Sequence, residues 1–135
     1  MGKRYPNLQP DQIGFIGEQH IFFAATAAPG ARVNLSPKGM DCLRVLSPTR
    51  ILWLSLTGSG NETAAQPGAR QVIDVTVDLV QSSCGFAVPF MEYREERPVL
   101  KSWAEGKGPE GLRSYWDERN RQTIDGLPIG IEANL

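Results

Sequence analysis

The segment Thr57-Gly58-Ser59-Gly60-Asn61-Glu62-Thr63-Ala64-Ala65 places hydroxyl side chains and glycines where an apolar, strand-like run gives way to helix-forming residues. A helix start of this kind presents unpaired backbone N–H groups and the positive end of the helix dipole, both of which favour a phosphate. The glycines let an anion approach the main chain, and Thr57, Ser59 and Thr63 add hydroxyl donors. The same residues admit a ligand-free reading. Ser59-x-x-Glu62 matches a capping box, in which Ser59 bonds the N–H of residue 62 and Glu62 reaches back to residue 59. Lys38, in Ser36-Pro37-Lys38-Gly39 at the end of a strand-like run, can supply the positive charge that a phosphate or an electron-rich ring needs; otherwise it is a solvated turn residue.

Other reactive side chains lack the company that chemistry requires. Cys84 sits between Ser83 and Gly85 with no histidine near it in sequence, which suits an inert buried thiol better than a nucleophile. The single histidine, His20, borders an apolar run and reads as a hydrogen-bonded strand-end residue rather than a general base. Cys42 and Cys84 have no metal-ligand spacing with each other or with His20, so no metal is expected. A formal charge of -1 gives no electrostatic reason to expect nucleic acid or an anionic membrane as partner. The start carries Lys3 and Arg4 with no apolar run behind them, and Pro6 breaks the myristoylation pattern, so a cytoplasmic location is expected.

The elements that must position these residues read as one domain over residues 1–135, with α+β content and strands dominating the middle. Residues 10–19 carry Ile13, Phe15 and Ile16 at helical spacing behind Pro10. The run 20–27 suits a buried strand, and 32–36 alternates so that Val33 and Leu35 point inward while Arg32, Asn34 and Ser36 point outward. These two segments are expected to pair. Strands around 43–46 and 51–56 would extend them into a meander of four. Residues 72–80 give the clearest alternation, with Ile73, Val75, Val77 and Leu79 on one side and Asp74, Thr76 and Asp78 on the other, as in an antiparallel sheet with one wet face. Pro98 and Pro109 can each open a helix, separated by Gly106-Lys107-Gly108. Trp53, Trp103 and Trp116 suit packing, and the charged residues of the two helices a solvated face.

The succession FFAATA (22–27), RVNLSPKG (32–39), LTGSGNETAA (56–65), SSCGFAVPFMEY (82–93) and IDGLP (124–128) resembles, in order and over nearly the whole chain, a subgroup of the pyridoxamine 5′-phosphate oxidase-like, FMN-binding split-barrel proteins. The resemblance implies a six-stranded antiparallel split barrel that pairs as a homodimer, with FMN in a groove between protomers. Carried over by position, it puts Thr57, Ser59, Asn61 and Thr63 near the FMN phosphate. Ser36 and Lys38 fall near the isoalloxazine ring or ribityl chain.

Two departures qualify the match. In the family a histidine and leucine usually follow the Ala-Ala pair and lead into further strands, whereas here Ala65-Gln66 runs into Pro67-Gly68-Ala69-Arg70. The barrel is therefore expected to be shortened, with the ladder edges of 51–56 and 72–80 bare unless new pairing or a second chain covers them. Basic residues that the family's phosphate site draws from that block are missing too. The Arg- and His-containing C-terminal motif of true pyridoxamine phosphate oxidases is also absent, so that reaction is not assigned and no catalytic residue is named. The expectation is an FMN-binding protein, a flavin-dependent oxidoreductase acting on a small molecule. Its rivals are a shortened, catalytically silent dimerisation or interaction module and a binder of some other phosphorylated small molecule at 57–63.

Overall fold

Pro10, at the first helical position after Gln9, opens helix α1 (Pro10–Gly17), whose start is closed by a 2.9 Å bond from the Gln9 N–H to Gln12 Oε1. The computed structural model describes residues 2–27, 29–56, 69–123 and 125–128, and the elements below are those of the described residues. Seven strands follow in chain order around and after α1: β1 (Lys3–Tyr5), β2 (Phe22–Thr26), β3 (Asn34–Lys38), β4 (Leu43–Ser47), β5 (Arg50–Leu56), β6 (Ala69–Thr76) and β7 (Val80–Ser82). Helix α2 (Val99–Arg119) ends the series. Both C-terminal helical runs anticipated from Pro98 and Pro109 lie within α2, and they meet at Gly108, whose φ of 66° and ψ of 174° interrupt the helix. A positive φ is readily reached by glycine, which has no β-carbon.

All strand pairing is antiparallel, but the described strands do not close into a barrel. They form three sheets: β1–β7, β2–β3 and β4–β5–β6. The expected four-stranded meander stops between β3 and β4, where Met40 and Asp41 adopt φ values of 60° and 49°. Two successive left-handed residues turn the chain out of the first sheet before it enters the next. Of the edges expected to be bare, those of β5 are covered on both sides, by β4 and β6, whereas among the described residues β6 is bonded on its β5 side alone. β5 and β6 pair with each other from Arg50↔Thr76 to Leu56↔Ala69, and that ladder takes the place of the pairing with which a barrel would continue.

The alternation read over 72–80 holds through Ile73, Val75 and Val77, each more sheltered than its neighbours. It fails at Leu79, which is exposed, because the chain leaves β6 after Thr76 and re-enters a sheet as β7, paired with the N-terminal strand β1. The β2–β3 pair forms as expected but with its faces reversed. Ser36 and Lys38 are half-buried, whereas Val33 and Leu35 are exposed. Register explains the reversal: Phe22↔Lys38 and Ala24↔Ser36 share the inner face, and Phe23↔Pro37 and Ala25↔Leu35 the outer one.

The buried apolar cluster bridges the break in α2, where Ala104, Leu112 and Trp116 pack together with Trp103 and Tyr115 beside them. Trp103 and Tyr115 meet edge to face at 5.0 Å, with the Lys107 ammonium 5.3 Å from the Trp103 ring. Trp53 is half-buried and meets Phe22 edge-on at 6.4 Å, joining β5 to the β2–β3 hairpin. Among the described residues no helix is long and apolar enough to cross a membrane.

Candidate functional site

The reversed hairpin gives the site its polar wall. Ser36, Pro37 and Lys38 of β3 line a cavity of about 210 Å³ together with Gly39, Met40 and Cys42 of the following turn. Its apolar lining comes from Leu54 and Leu56 of β5 and Leu100 of α2. β5 is held beside the turn by a 2.6 Å bond from the Leu54 N–H to the Cys42 carbonyl. Leu56 is followed directly by Thr57. Thr57, Ser59, Asn61 and Thr63 themselves, like the capping-box pair Ser59 and Glu62, lie outside the described residues.

A second cavity of about 260 Å³ shares Gly39 and Cys42 with the first. It is lined by Ile13 and Ile16 of α1, His20, Phe22, and Asp41 to Val45. The turn between the cavities is braced from several sides. Its Met40 N–H donates to Glu96 Oε2 at 3.3 Å, and a β-carbon added to Gly39 would lie 3.3 Å from the His20 carbonyl oxygen. Asp41 binds Arg44 through both carboxylate oxygens at 2.7 Å, and this guanidinium holds the Asp41 carboxyl below its ordinary value. His20 does not play the hydrogen-bonded role expected of it. Its ring stacks on Tyr93 at 3.7 Å with an 11° tilt between planes. Partial desolvation, followed by the charge of Glu96, raises the Tyr93 phenol above its ordinary value.

Ser36 and Lys38, named from the sequence, line one cavity, whereas Cys42, Tyr93 and Glu96 beside it were not named as site residues. The signals for the last two are weak, since 83–97 carries no periodic pattern that would aim a side chain at residue 40. A Gly-Met-Asp turn is the one local cue for the left-handed pair, because aspartate tolerates that conformation better than most residues. The IDGLP motif has a structural task. Asp125 accepts the Arg32 N–H at 2.9 Å and pairs with the Arg32 guanidinium, which fastens the end of the β2–β3 hairpin. Its turn is closed by the Thr123 N–H donating to the Leu127 carbonyl at 2.8 Å. Neither cysteine forms a disulfide, and Cys84, expected to be buried, is exposed.

Ser36 and Lys38 line the cavity beside β3 together with three leucines. That donor set fits the acceptor-bearing edge and flat apolar face of an aromatic ring such as a flavin. At about 210 Å³ it is smaller than the roughly 300–1,000 Å³ of ordinary ligand pockets, so it accommodates part of such a ligand.

No family model matches the chain, and no solved structure matches it. A curated protein does: the pyridoxamine 5′-phosphate oxidase family protein ustO of Aspergillus flavus is 26% identical over 189 positions, which cover 92% of this chain and 76% of the relative. The matched span exceeds the 135 residues of this chain, so the relative carries residues for which this chain has no counterpart. By sequence, the chain is distantly similar to a protein of the pyridoxamine 5′-phosphate oxidase family.

Proposed function

We propose that this chain is an FMN-binding protein of the pyridoxamine 5′-phosphate oxidase-like kind, a homodimer that serves as a flavin-dependent oxidoreductase toward a small molecule. The observation that carries the reading is the inward turn of Ser36 and Lys38 onto a cavity that leucines also line. A hairpin exposing Leu35 while sheltering a lysine breaks the usual pattern, and such inversions mark functional surfaces. In this reading Lys38 and Ser36 donate to the acceptor edge of the ring, Leu54, Leu56 and Leu100 exclude water from its face, and Thr57, Ser59, Asn61 and Thr63 receive the phosphate. Bound FMN supplies the two-electron chemistry, and the protein supplies orientation and charge.

The cavity's small volume favours a second reading, a catalytically silent dimerisation module that retains the motifs without a complete pocket. Titration of the purified protein with FMN and with riboflavin separates the two. A phosphate-reading site binds FMN more tightly, and replacing Ser59 and Thr63 together reduces the preference by about 1–3 kcal/mol. Equal and weak binding of both flavins, unchanged by the substitutions, selects the silent module.

A further inference from the structure

One turn, Gly39 to Cys42, stands at both cavities, since Gly39 and Cys42 line the one beside α1 and the one beside β3. Between those two residues lie Met40 and Asp41, whose φ values of 60° and 49° fall in the left-handed region that residues with a β-carbon seldom adopt. Such a pair persists only where its surroundings hold it. The holds are unequal. At Cys42 the Leu54 N–H bonds the carbonyl at 2.6 Å, which ties that end to β5, and Asp41 takes two 2.7 Å bonds from Arg44. Met40 depends instead on the 83–97 segment: its N–H donates to Glu96 at 3.3 Å, and Tyr93, stacked on His20, seats that segment beside the turn. Tyr93 and Glu96 are exposed, and among the described residues 83–97 forms neither helix nor strand. A long bond between exposed groups on such a segment opens while the packed elements stay closed.

Size and chemistry say what the turn divides. At about 260 Å³ and about 210 Å³, each cavity falls short of the roughly 300–1,000 Å³ of ordinary ligand pockets, and joined they lie within that range. The half beside α1 is walled by Ile13, Ile16, Phe22, Leu43 and Val45, and its opposite charges, Asp41 and Arg44, are engaged with each other. A charged ligand there would have to compete with that pair, whereas an apolar body gains by burial. A single ring fits, because an apolar cavity of roughly 150 Å³ already takes benzene.

We propose that the two cavities are halves of one ligand site, that the clamp of Tyr93 and Glu96 keeps the 39–42 turn closed between them, and that the half beside α1 takes an uncharged molecule with a single-ring or branched aliphatic body. The inference rests on the flavin reading above for the other half: with the ring against β3, the half beside α1 holds the substrate, and opening of the turn brings the two into contact. Cys42 reports the turn, being buried and on the wall of both halves. Cys84→Ser leaves it as the one thiol of the chain. Its alkylation by iodoacetamide, an uncharged reagent, then measures opening with no flavin present.

In the Cys84→Ser background, Glu96→Ala and Tyr93→Ala should each speed Cys42 alkylation by about fivefold or more, as loss of a local hold does. Glu96→Gln, which keeps an acceptor for the Met40 N–H, should stay within about twofold of that background. The faster rates should not change in low urea, since local opening exposes little surface and unfolding exposes much. Benzyl alcohol should slow the alkylation, whereas benzoate and benzylamine, single rings that carry a charge, should not. Rates indifferent to Glu96→Ala and Tyr93→Ala, or an acceleration that climbs with urea from the outset, overturn the clamp. Equal protection by all three rings, or by none, overturns the site beside α1. Neither failure touches the flavin reading, which the FMN titration judges separately, and a clamp and ring site that hold while FMN fails to bind remove only the flavin from the other half.

Discussion

The β4–β5–β6 sheet and the β2–β3 hairpin are built from similar lengths of antiparallel strand but are held in opposite ways. In the larger sheet, β5 is bonded along both edges, Ser55 is fully buried and the charges lie outside, where Arg50 reaches Asp74 at 2.7 Å. The hairpin turns Ser36 and Lys38 of β3 inward and Leu35 out. Its ends are fastened by side chains from elsewhere, Asp125 at one and Glu96 near the other. The larger sheet is held by its own ladders, although it buries Ser55 and leaves Leu46 and Val72 exposed. The hairpin, which shelters Ser36 and Lys38 on its inner face, relies on those tethers instead.

The contrast can be broken first where the two sheets touch. Trp53→Ala removes the ring that meets Phe22, and its half-buried position should make the loss about 2–4 kcal/mol, measured by urea unfolding. Ser55→Leu tests the larger sheet alone: overpacking a fully buried site should cost about 1–3 kcal/mol by the same measurement. A neutral result for Ser55→Leu would mean that this sheet is not the rigid partner in the comparison.

The tether comes next. Asp125→Ala leaves the Arg32 N–H without its acceptor and should cost about 1 kcal/mol. Hydrogen exchange should then quicken in residues 22–38 and stay unchanged in β5. The smallest effect belongs to Asp74, whose carboxyl Arg50 holds below its ordinary value of 3.8. In acid the unfolded chain binds this proton first. The contribution is therefore complete above about pH 3.8 and is lost as pH falls through the lower folded-state value. Asp74→Asn should flatten the melting-temperature profile slightly below pH 5, and an unchanged acid slope would show that the exposed pair contributes nothing.

What could be read from the sequence was local. The stripe of Ile13, Phe15 and Ile16 announced α1, Pro98 and Pro109 the two parts of α2, and Gly106-Lys107-Gly108 the break between them. A short apolar run located β2, although three of its five residues are exposed rather than buried, and alternation located the inner residues of β6. Partner choice was not local: nothing in Lys3-Arg4-Tyr5 names Val80–Ser82 as its ladder, and β5 and β6 satisfy each other's edges where a barrel was expected. The polarity of β3 was misread because hydrophobicity alone assigns Val33 and Leu35 to the inside, whereas the register with β2 sends Ser36 and Lys38 there. Of the candidate site, Ser36 and Lys38 were legible as residue types, and their arrangement on the cavity depended on register.

The central claim is that a positive charge on the inner face of the hairpin reads a phosphorylated flavin, while an equal charge on the larger sheet does not. Flavin-fluorescence titration of Lys38→Ala and Arg50→Ala, each against the parent protein, tests it with net charge changed equally. Lys38→Ala should weaken FMN binding by about tenfold or more, as expected for loss of a charged hydrogen bond, and Arg50→Ala should leave it within twofold. Equal losses in both variants, or none in either, would contradict the account.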